Sequence, residues 1–96
     1  MKREEILDTA KRTVCHDRNN QYGEPEDNFS NIANFWSVYL AARNSSRPLG
    51  PEDVANMMIL CKIARNIAWP KADNWIDIAG YAACGGEIAG SIDYER

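Results

Sequence analysis

Trp69–Glu87, WPKADNWIDIAGYAACGGE, is the stretch on which the reading of the fold turns. Trp69-Pro70 stops the segment before it, because a residue preceding proline is biased away from helical backbone. The stretch puts two carboxylates, two indoles and a run of very small residues on what reads as one helix. Asp73 and Asp77 are four apart and so share a helix face, one turn apart. At about 100° per residue, Gly80, Tyr81, Cys84 and Glu87 fall within roughly a quarter-turn of the same line. Like charges at this spacing repel, so a partner cation or a metal is expected beside them. Asp73 also suits the acidic first turn that complements a helix dipole. Asp77 sits deeper, between Ile76 and Ile78, and is the stronger functional candidate.

Helix four is expected over about 72–93. It carries Gly80, Gly85, Gly86 and Gly90 among alanines, at a cost of nearly 1 kcal/mol per glycine in helix propensity. Such a helix makes sense where another backbone approaches closely. Ala79, Ala83, Gly86 and Gly90 therefore predict a helix–helix seam, placed between subunits of a homo-oligomer.

Upstream, Gly50-Pro51-Glu52-Asp53 opens helix three, expected over 51–68, with proline at the first position and acids behind it. Its body, VANMMILCKIARNIAW, is apolar nearly all round, which predicts burial on most sides. Its polar members are then informative. Lys62 and Asn66 lie together on a helical wheel, Arg65 lies about 60° from Lys62, and Glu52 and Asn56 share a second strip. Lysine and arginine are seldom buried unpartnered. Either Lys62 or Arg65 pairs with Asp73 or Asp77 of the next helix, or these cations face a phosphate in a pocket.

Glu24-Pro25-Glu26-Asp27 gives the same start signal for helix two, expected over 25–43. Phe29, Ile32, Ala33, Trp36, Tyr39 and Leu40 form a bulky apolar stripe that reads mainly as core, with Asn28 and Asn31 close to it. Arg43–Gly50 is a short polar linker of ordinary helix-to-helix length. Helix one is expected over about 3–19, with Ile6, Leu7, Ala10 and Val14 on its inner side and Arg3, Glu4, Glu5, Lys11 and Arg12 on the wet side. It closes in a polar turn ending at Tyr22-Gly23. That turn is either plain loop chemistry or a loop offering Arg18, Gln21 and Tyr22 to a ligand.

Together these segments make an all-α, four-helix single domain spanning residues 1–96. A chain of 96 residues buries only about 60–65% of its unfolded surface. Net charge is −3 and the pI is about 5.0, so no electrostatic footprint for duplex nucleic acid is present. No apolar run approaches the roughly 20 residues that span a bilayer, and MKREEILD lacks a signal core. A cytoplasmic location is expected. Cys15, Cys61 and Cys84 lack any CxxC pairing and read as reduced, mostly buried thiols. His16 is the single histidine, which argues against a Cys/His metal site and leaves no other histidine as base for a nucleophile.

The run DRNNQYGEPEDNFSNIANFWSVYL, then LGPEDVANMMILCKIAR, then DNWIDIAGYAA resembles a family of small uncharacterised proteins from phages and prophages, over residues 5 to 90. The resemblance implies action inside a bacterial host cell but brings no firm activity. More distantly, the helix order looks like the all-α nucleotide pyrophosphohydrolases of the MazG and dimeric dUTPase type. That likeness implies Mg²⁺ held by an ExxE on one helix and an ExxD on the next, and cleavage of a nucleoside triphosphate. Here Asn74 stands where the second motif has glutamate, and Glu52, Asp53 and Asn56 keep one or two acids of the first. Asp53, Asp73 and Asp77 are the metal ligands such an enzyme would use, with Lys62 clamping phosphate.

Two functional classes emerge, and a third that is bland. As a binding module without cofactor, the chain would hold a nucleotide or a nucleotide-derived signal between subunits. Arg18, Lys62 and Arg65 would meet phosphate, Trp75 or Tyr22 would stack the base, and Asn56 or Asp77 would read polar edges. The resemblance to phage proteins makes capture of a cyclic-nucleotide or ADP-ribose-type immune signal the leading expectation. As an enzyme, it would be a Mg²⁺-dependent pyrophosphohydrolase. The third class is a helical oligomer that binds another protein. Fewer than four convergent acids, set beside embedded cations, favour binding over hydrolysis.

Overall fold

The computed structural model describes residues 1–17 and 25–91. Within them the chain is helical throughout its ordered elements: α1 (Arg3–Arg12) runs into a π-helical turn at Thr13–Asp17, followed by α2 (Pro25–Arg43), α3 (Pro51–Ala68), α4 (Ala72–Ile88) and a closing 3₁₀ turn at Ala89–Ser91. The expected bounds of the second and third helices hold. The first is helical through Asp17, and its expected last residues lie outside the described part, as do residues 92 and 93 of the fourth. Helix four tightens into 3₁₀ geometry after Ile88, one turn earlier than expected.

The ends have local causes. α2 begins at Pro25 with Glu26 and Asp27 in its first turn, and it closes at Asn44, whose φ of 41° is left-handed backbone that asparagine tolerates. α3 begins after an extended Gly50. The Gly50 N–H donates to Asp53 Oδ2 at 2.8 Å, so the third helical residue reaches back over the helix start. The α3–α4 turn is tied by two asparagines. Asn66 Oδ1 accepts from the Lys71 N–H at 3.3 Å and from Asn74 Nδ2 at 3.1 Å, and Asn74 Nδ2 also donates to the Trp69 carbonyl at 3.0 Å. Asn74 is 2% exposed.

The helices form a layer with α3 in the middle. α2 and α4 each pack along α3 and make no comparable contact with each other. Asp53, Met57, Cys61 and Ala64 lie on the α2 side of α3, while Ala55, Lys62 and Asn66 lie roughly opposite, towards α4. On the α2 side, Ile32, Cys61 and Ala64 form the buried cluster, with Phe35, Trp36 and Met58 against it. The Trp36 indole N–H donates to the Met57 carbonyl at 2.7 Å. On the α4 side the helices meet at Gly85, where an added Cβ would lie 2.9 Å from the Ala55 Cβ.

A layer has two open faces, and that corrects several expectations. α3 is not buried on most sides: Val54 and Ile67 are exposed, because neighbours flank the helix on two sides only. The aromatic stripe of α2 is split, with Ile32 buried and Phe29 and Leu40 exposed. The small residues Ala79, Ala83, Gly86 and Gly90, expected at a seam between subunits, are exposed in the single chain, where α3 and α4 meet at Gly85. Of the three thiols only Cys61 is buried; Cys15 and Cys84 are exposed. The largest departure is α1, whose apolar stripe is left exposed among the described residues. Ile6 is 51% and Leu7 66% exposed, and no residue of α1 is buried. The chain extends 50 × 29 × 29 Å, with a radius of gyration of 16.4 Å against roughly 12–13 Å for a compact chain of this length.

Candidate functional site

Three acidic or polar constellations are available, and they differ in what they leave free. The first surrounds Asp53, which is 4% exposed. Its Oδ1 accepts from the Tyr39 hydroxyl at 2.6 Å and from Arg43 Nε at 3.1 Å. Its Oδ2 accepts from the Gly50 N–H, and the Arg47 guanidinium stands 4.0 Å from that oxygen. Arg43 also donates through Nη2 to the carbonyls of Arg47 and Pro48, both at 2.9 Å, and so closes the linker over the helix start. The Gly50 N–H, the Tyr39 hydroxyl and the Arg43 charge hold the Asp53 carboxyl down at about 2. The same bond to Asp53 pushes the Tyr39 hydroxyl up, with burial adding to it. Both carboxylate oxygens are committed, so Asp53 acts as a lock between α2, the linker and α3.

This placement separates the residues expected to share a metal. Asp53 lies on the α2 side of α3, Asp73 is exposed at the start of α4, and Asp77 pairs with a cation. Among the described residues no group of three histidine, cysteine, aspartate or glutamate side chains could hold a metal ion. The Asp53, Asp73 and Asp77 constellation is therefore not assembled within this chain.

The second constellation is the ion pair across α3 and α4, Lys62 Nζ to Asp77 Oδ2 at 3.1 Å. This meets the expectation of a cation partner for the acidic face of α4. Beside it an open groove of about 380 Å³ is lined by Ile76, Asp77, Gly80, Tyr81 and Cys84, most of the line on which those residues were expected to fall.

The third lies on the other side of the α3–α4 seam. A groove of about 320 Å³ is lined by Glu52, Asn56, Ile59 and Tyr81 around small residues that include Ala55, Gly85 and Gly86. The volume is at the lower end of ordinary small-molecule sites. Its floor is glycine and alanine, so a flat ring can approach the α4 backbone, and Tyr81 offers an aromatic face. Asn56 Nδ2 donates to the Tyr39 hydroxyl at 3.1 Å, which leaves its Oδ1 as an acceptor. Glu52 supplies a second acceptor. The groove is thereby linked through Asn56 and Tyr39 to the Asp53 lock.

The remaining sequence candidates scatter. Arg18, Gln21 and Tyr22 lie outside the described residues. Arg65 is half-buried on α3. Trp75 is 65% exposed and borders a small cleft with Ile63, Asn66, Ile67 and Ile78, away from the groove beside Asn56. Sequence reasoning missed Tyr81 as a groove wall, although it stands on the acidic line. It also missed Arg47, which falls in the polar linker; its side chain is 58% exposed, and its guanidinium and the Glu52 carboxylate both approach Gly50. Tyr39, Arg43 and Asn74 carry no local signal, since each acts on a partner on another element or across a turn.

No helix among the described residues is long and apolar enough to cross a membrane. No solved structure matches the chain. Two curated phage proteins do. The Gene 55 protein of Mycobacterium phage D29 is 43% identical over 82 residues, covering 84% of this chain and 51% of that protein. The Gene 55 protein of Mycobacterium phage L5 is 41% identical over 78 residues, covering 80% of this chain and 47% of that protein. The chain thus spans about half the length of these curated relatives. The likeness to small phage proteins expected from the three linked motifs is met at this level. Residues 5–89 match the family described as Domain of unknown function (DUF6378), and the chain belongs to that family.

Proposed function

We propose that this protein binds a nucleotide or nucleotide-derived signal without hydrolysing it, working as a homo-oligomer. The groove between α3 and α4 carries the reading: two acceptors, Glu52 and Asn56, stand beside an aromatic wall, Tyr81, over a floor of glycine and alanine. Acceptors of this kind suit the donor edge of an amino-bearing base, as glutamate suits the cytosine amino group, and base–aromatic stacking adds about 1–3 kcal/mol. Arg47 at the Glu52 end provides an exposed cation for a phosphate. Lys62 reaches a phosphate only by exchanging Asp77 for it. Phage relatives fit capture of a cyclic-nucleotide or ADP-ribose-type immune signal in the host cell. The MazG-like hydrolytic alternative has less support, because a Mg²⁺ site using Asp53 must first strip it of the Tyr39, Arg43 and Gly50 donors.

The test is a thermal-shift series with nucleoside triphosphates, cyclic dinucleotides and cyclic ADP-ribose, with and without Mg²⁺, followed by chromatography of the recovered ligand. A binder present at 100 times its Kd stabilises by about 2.7 kcal/mol and returns intact. Glu52→Gln and Tyr81→Ala abolish that shift without loss of helix content. Mg²⁺-dependent release of a monophosphate would replace this reading with hydrolysis. No shift with any of these compounds would remove both and leave a protein-binding helical oligomer.

A further inference from the structure

Area gives the first observation. The chain exposes 7314 Å², whereas a compact monomer of 10.8 kDa exposes roughly 5,500 Å². The excess is about 1,800 Å² per chain, and twice that for a pair of chains falls inside the range of about 2,000–5,000 Å² buried by obligate homodimers. The missing burial is therefore the size of one dimer interface.

Two apolar surfaces within that exposed area fit one another. One is α1 with the π-helical turn that continues it, where Ile6, Leu7 and Val14 are exposed on one stripe with Ala10. The other is a cleft of about 260 Å³ between α2 and α3, lined by Phe29, Ile32, Ala33, Trp36 and Cys61, every one of them apolar. This cleft opens onto the buried cluster of Ile32, Cys61 and Ala64. The last turn of α1 carries Lys11 and Arg12, and the first turn of α2 carries Glu26 and Asp27. Laid antiparallel, the two helices put the basic end of α1 beside the acidic end of α2, with Lys11 and Glu26 flanking the apolar contact. Because both rise equally per residue, a register with Arg12 level with Asp27 brings Leu7 level with Ile32, at the cleft. The match to the family begins at residue 5, inside α1, so this helix belongs to the domain although none of its residues is buried among the described residues.

We infer that α1 of one copy lies antiparallel along α2 of a second copy, with Leu7 entering the Phe29–Trp36–Cys61 cleft, and that the exchange is reciprocal. This rests on the homo-oligomer reading above and names its surface. Exchange of one element between two copies is a low-cost route to a dimer, and it buries both apolar surfaces at once. It leaves the α3–α4 grooves open.

The test uses the full chain. Sedimentation of the unaltered protein gives a dimer, and Leu7→Glu converts it to a monomer of unchanged helix content, since the Leu7 side chain is largely exposed in the single chain. In a Cys15→Ser, Cys84→Ser background, Leu7→Cys is then oxidised with oxidised glutathione as the electron acceptor. The expected product is a disulfide-linked dimer on a non-reducing gel, with peptide mapping placing the bond between the introduced thiol and Cys61. A bond between the same two positions inside one chain would mean that α1 folds onto its own body, and it would overturn the exchange. A dimer that Leu7→Glu leaves intact, and that forms no such bond, would overturn the exchange and keep the homo-oligomer. A monomeric unaltered protein would overturn both.

Discussion

The close approach of α3 and α4 at Gly85 is a directly testable contact. A Cβ built on Gly85 lies 2.9 Å from the Ala55 Cβ, while one built on Gly80 meets nothing within 4 Å. Both glycines sit inside α4, so replacing either by alanine gains about 1 kcal/mol of helix propensity. For Gly80→Ala that gain stands alone, and a rise of about 4–8 °C in melting temperature is expected for a domain of this size. For Gly85→Ala the new methyl meets another methyl fixed to backbone, with no flexible end to swing aside, and α3 and α4 must move apart. Overpacking of this kind costs about 1–3 kcal/mol, so the net change runs from nothing to about 2 kcal/mol destabilising. The assay is thermal unfolding tracked by far-ultraviolet circular dichroism, at one protein concentration throughout because assembly shifts the midpoint. Ala55→Gly in the Gly85→Ala background returns the space, and a double-mutant cycle gives a favourable coupling of about 1–3 kcal/mol. If Gly85→Ala stabilises as much as Gly80→Ala, or if Ala55→Gly and Gly85→Ala are additive, α3 and α4 do not meet at this point.

Three other residues or pairs make comparable tests. The Asp53 carboxyl titrates at about 2 in the folded chain against an ordinary 3.8. As pH falls the unfolded chain takes up that proton first, so the stability Asp53 confers is complete above about pH 4 and drains away towards about pH 2. The melting temperature of the unaltered protein therefore falls more steeply across this window than that of Asp53→Asn, and equal slopes would remove the lock. Asn74→Ala deprives the α3–α4 turn of both amide bonds at a buried site and costs about 1–3 kcal/mol in a denaturant titration; a loss under ~0.5 kcal/mol would mean the turn holds without it. The Lys62–Asp77 pair is partly exposed on both sides, so a cycle with Lys62→Met and Asp77→Asn gives a coupling of about 0.2–1 kcal/mol that shrinks in 1 M salt. Zero coupling at low salt would show that the two charges do not meet.

What was legible in the sequence was punctuation. Pro25 and Pro51, each with acids behind it, placed the starts of α2 and α3, and Trp69-Pro70 placed the break before α4. These are local signals, and local backbone chemistry decides them. The partner of a helix face is not local. Ile6, Leu7, Ala10 and Val14 spell out an apolar stripe, and nothing in that spacing says whether the stripe meets its own chain. Asp53 shows the same limit at the site. As an acid behind Pro51 it marks a helix start, which it is, and it is also a carboxylate that a metal could use. The residues that occupy it, Tyr39 and Arg43, lie 14 and 10 positions earlier, on a different helix. Only the pairing of α2 with α3 brings them there. Lys62 and Asp77 were the easier case, because two charged residues facing one another across a single tight turn are constrained by helix period alone.

The layer bears on what the acids can do. A carboxylate cluster that binds Mg²⁺ needs several oxygens converging on one point, and convergence needs helices that face a common interior. Here α3 turns Asp53 to one neighbour and Lys62 to the other, so its polar residues diverge by half a turn. Covering α2 with α1 of a second copy would close the Asp53 side further and would leave the Glu52–Asn56–Tyr81 groove untouched. The assembly and the ligand site are then carried by opposite sides of α3, and they separate by mutation. Leu7→Glu changes the mass in solution and leaves the response to a bound nucleotide in place, whereas Glu52→Gln does the reverse. If Leu7→Glu abolishes both, the groove needs the second copy to be complete, and the site must be rebuilt across the subunit boundary instead of within one chain.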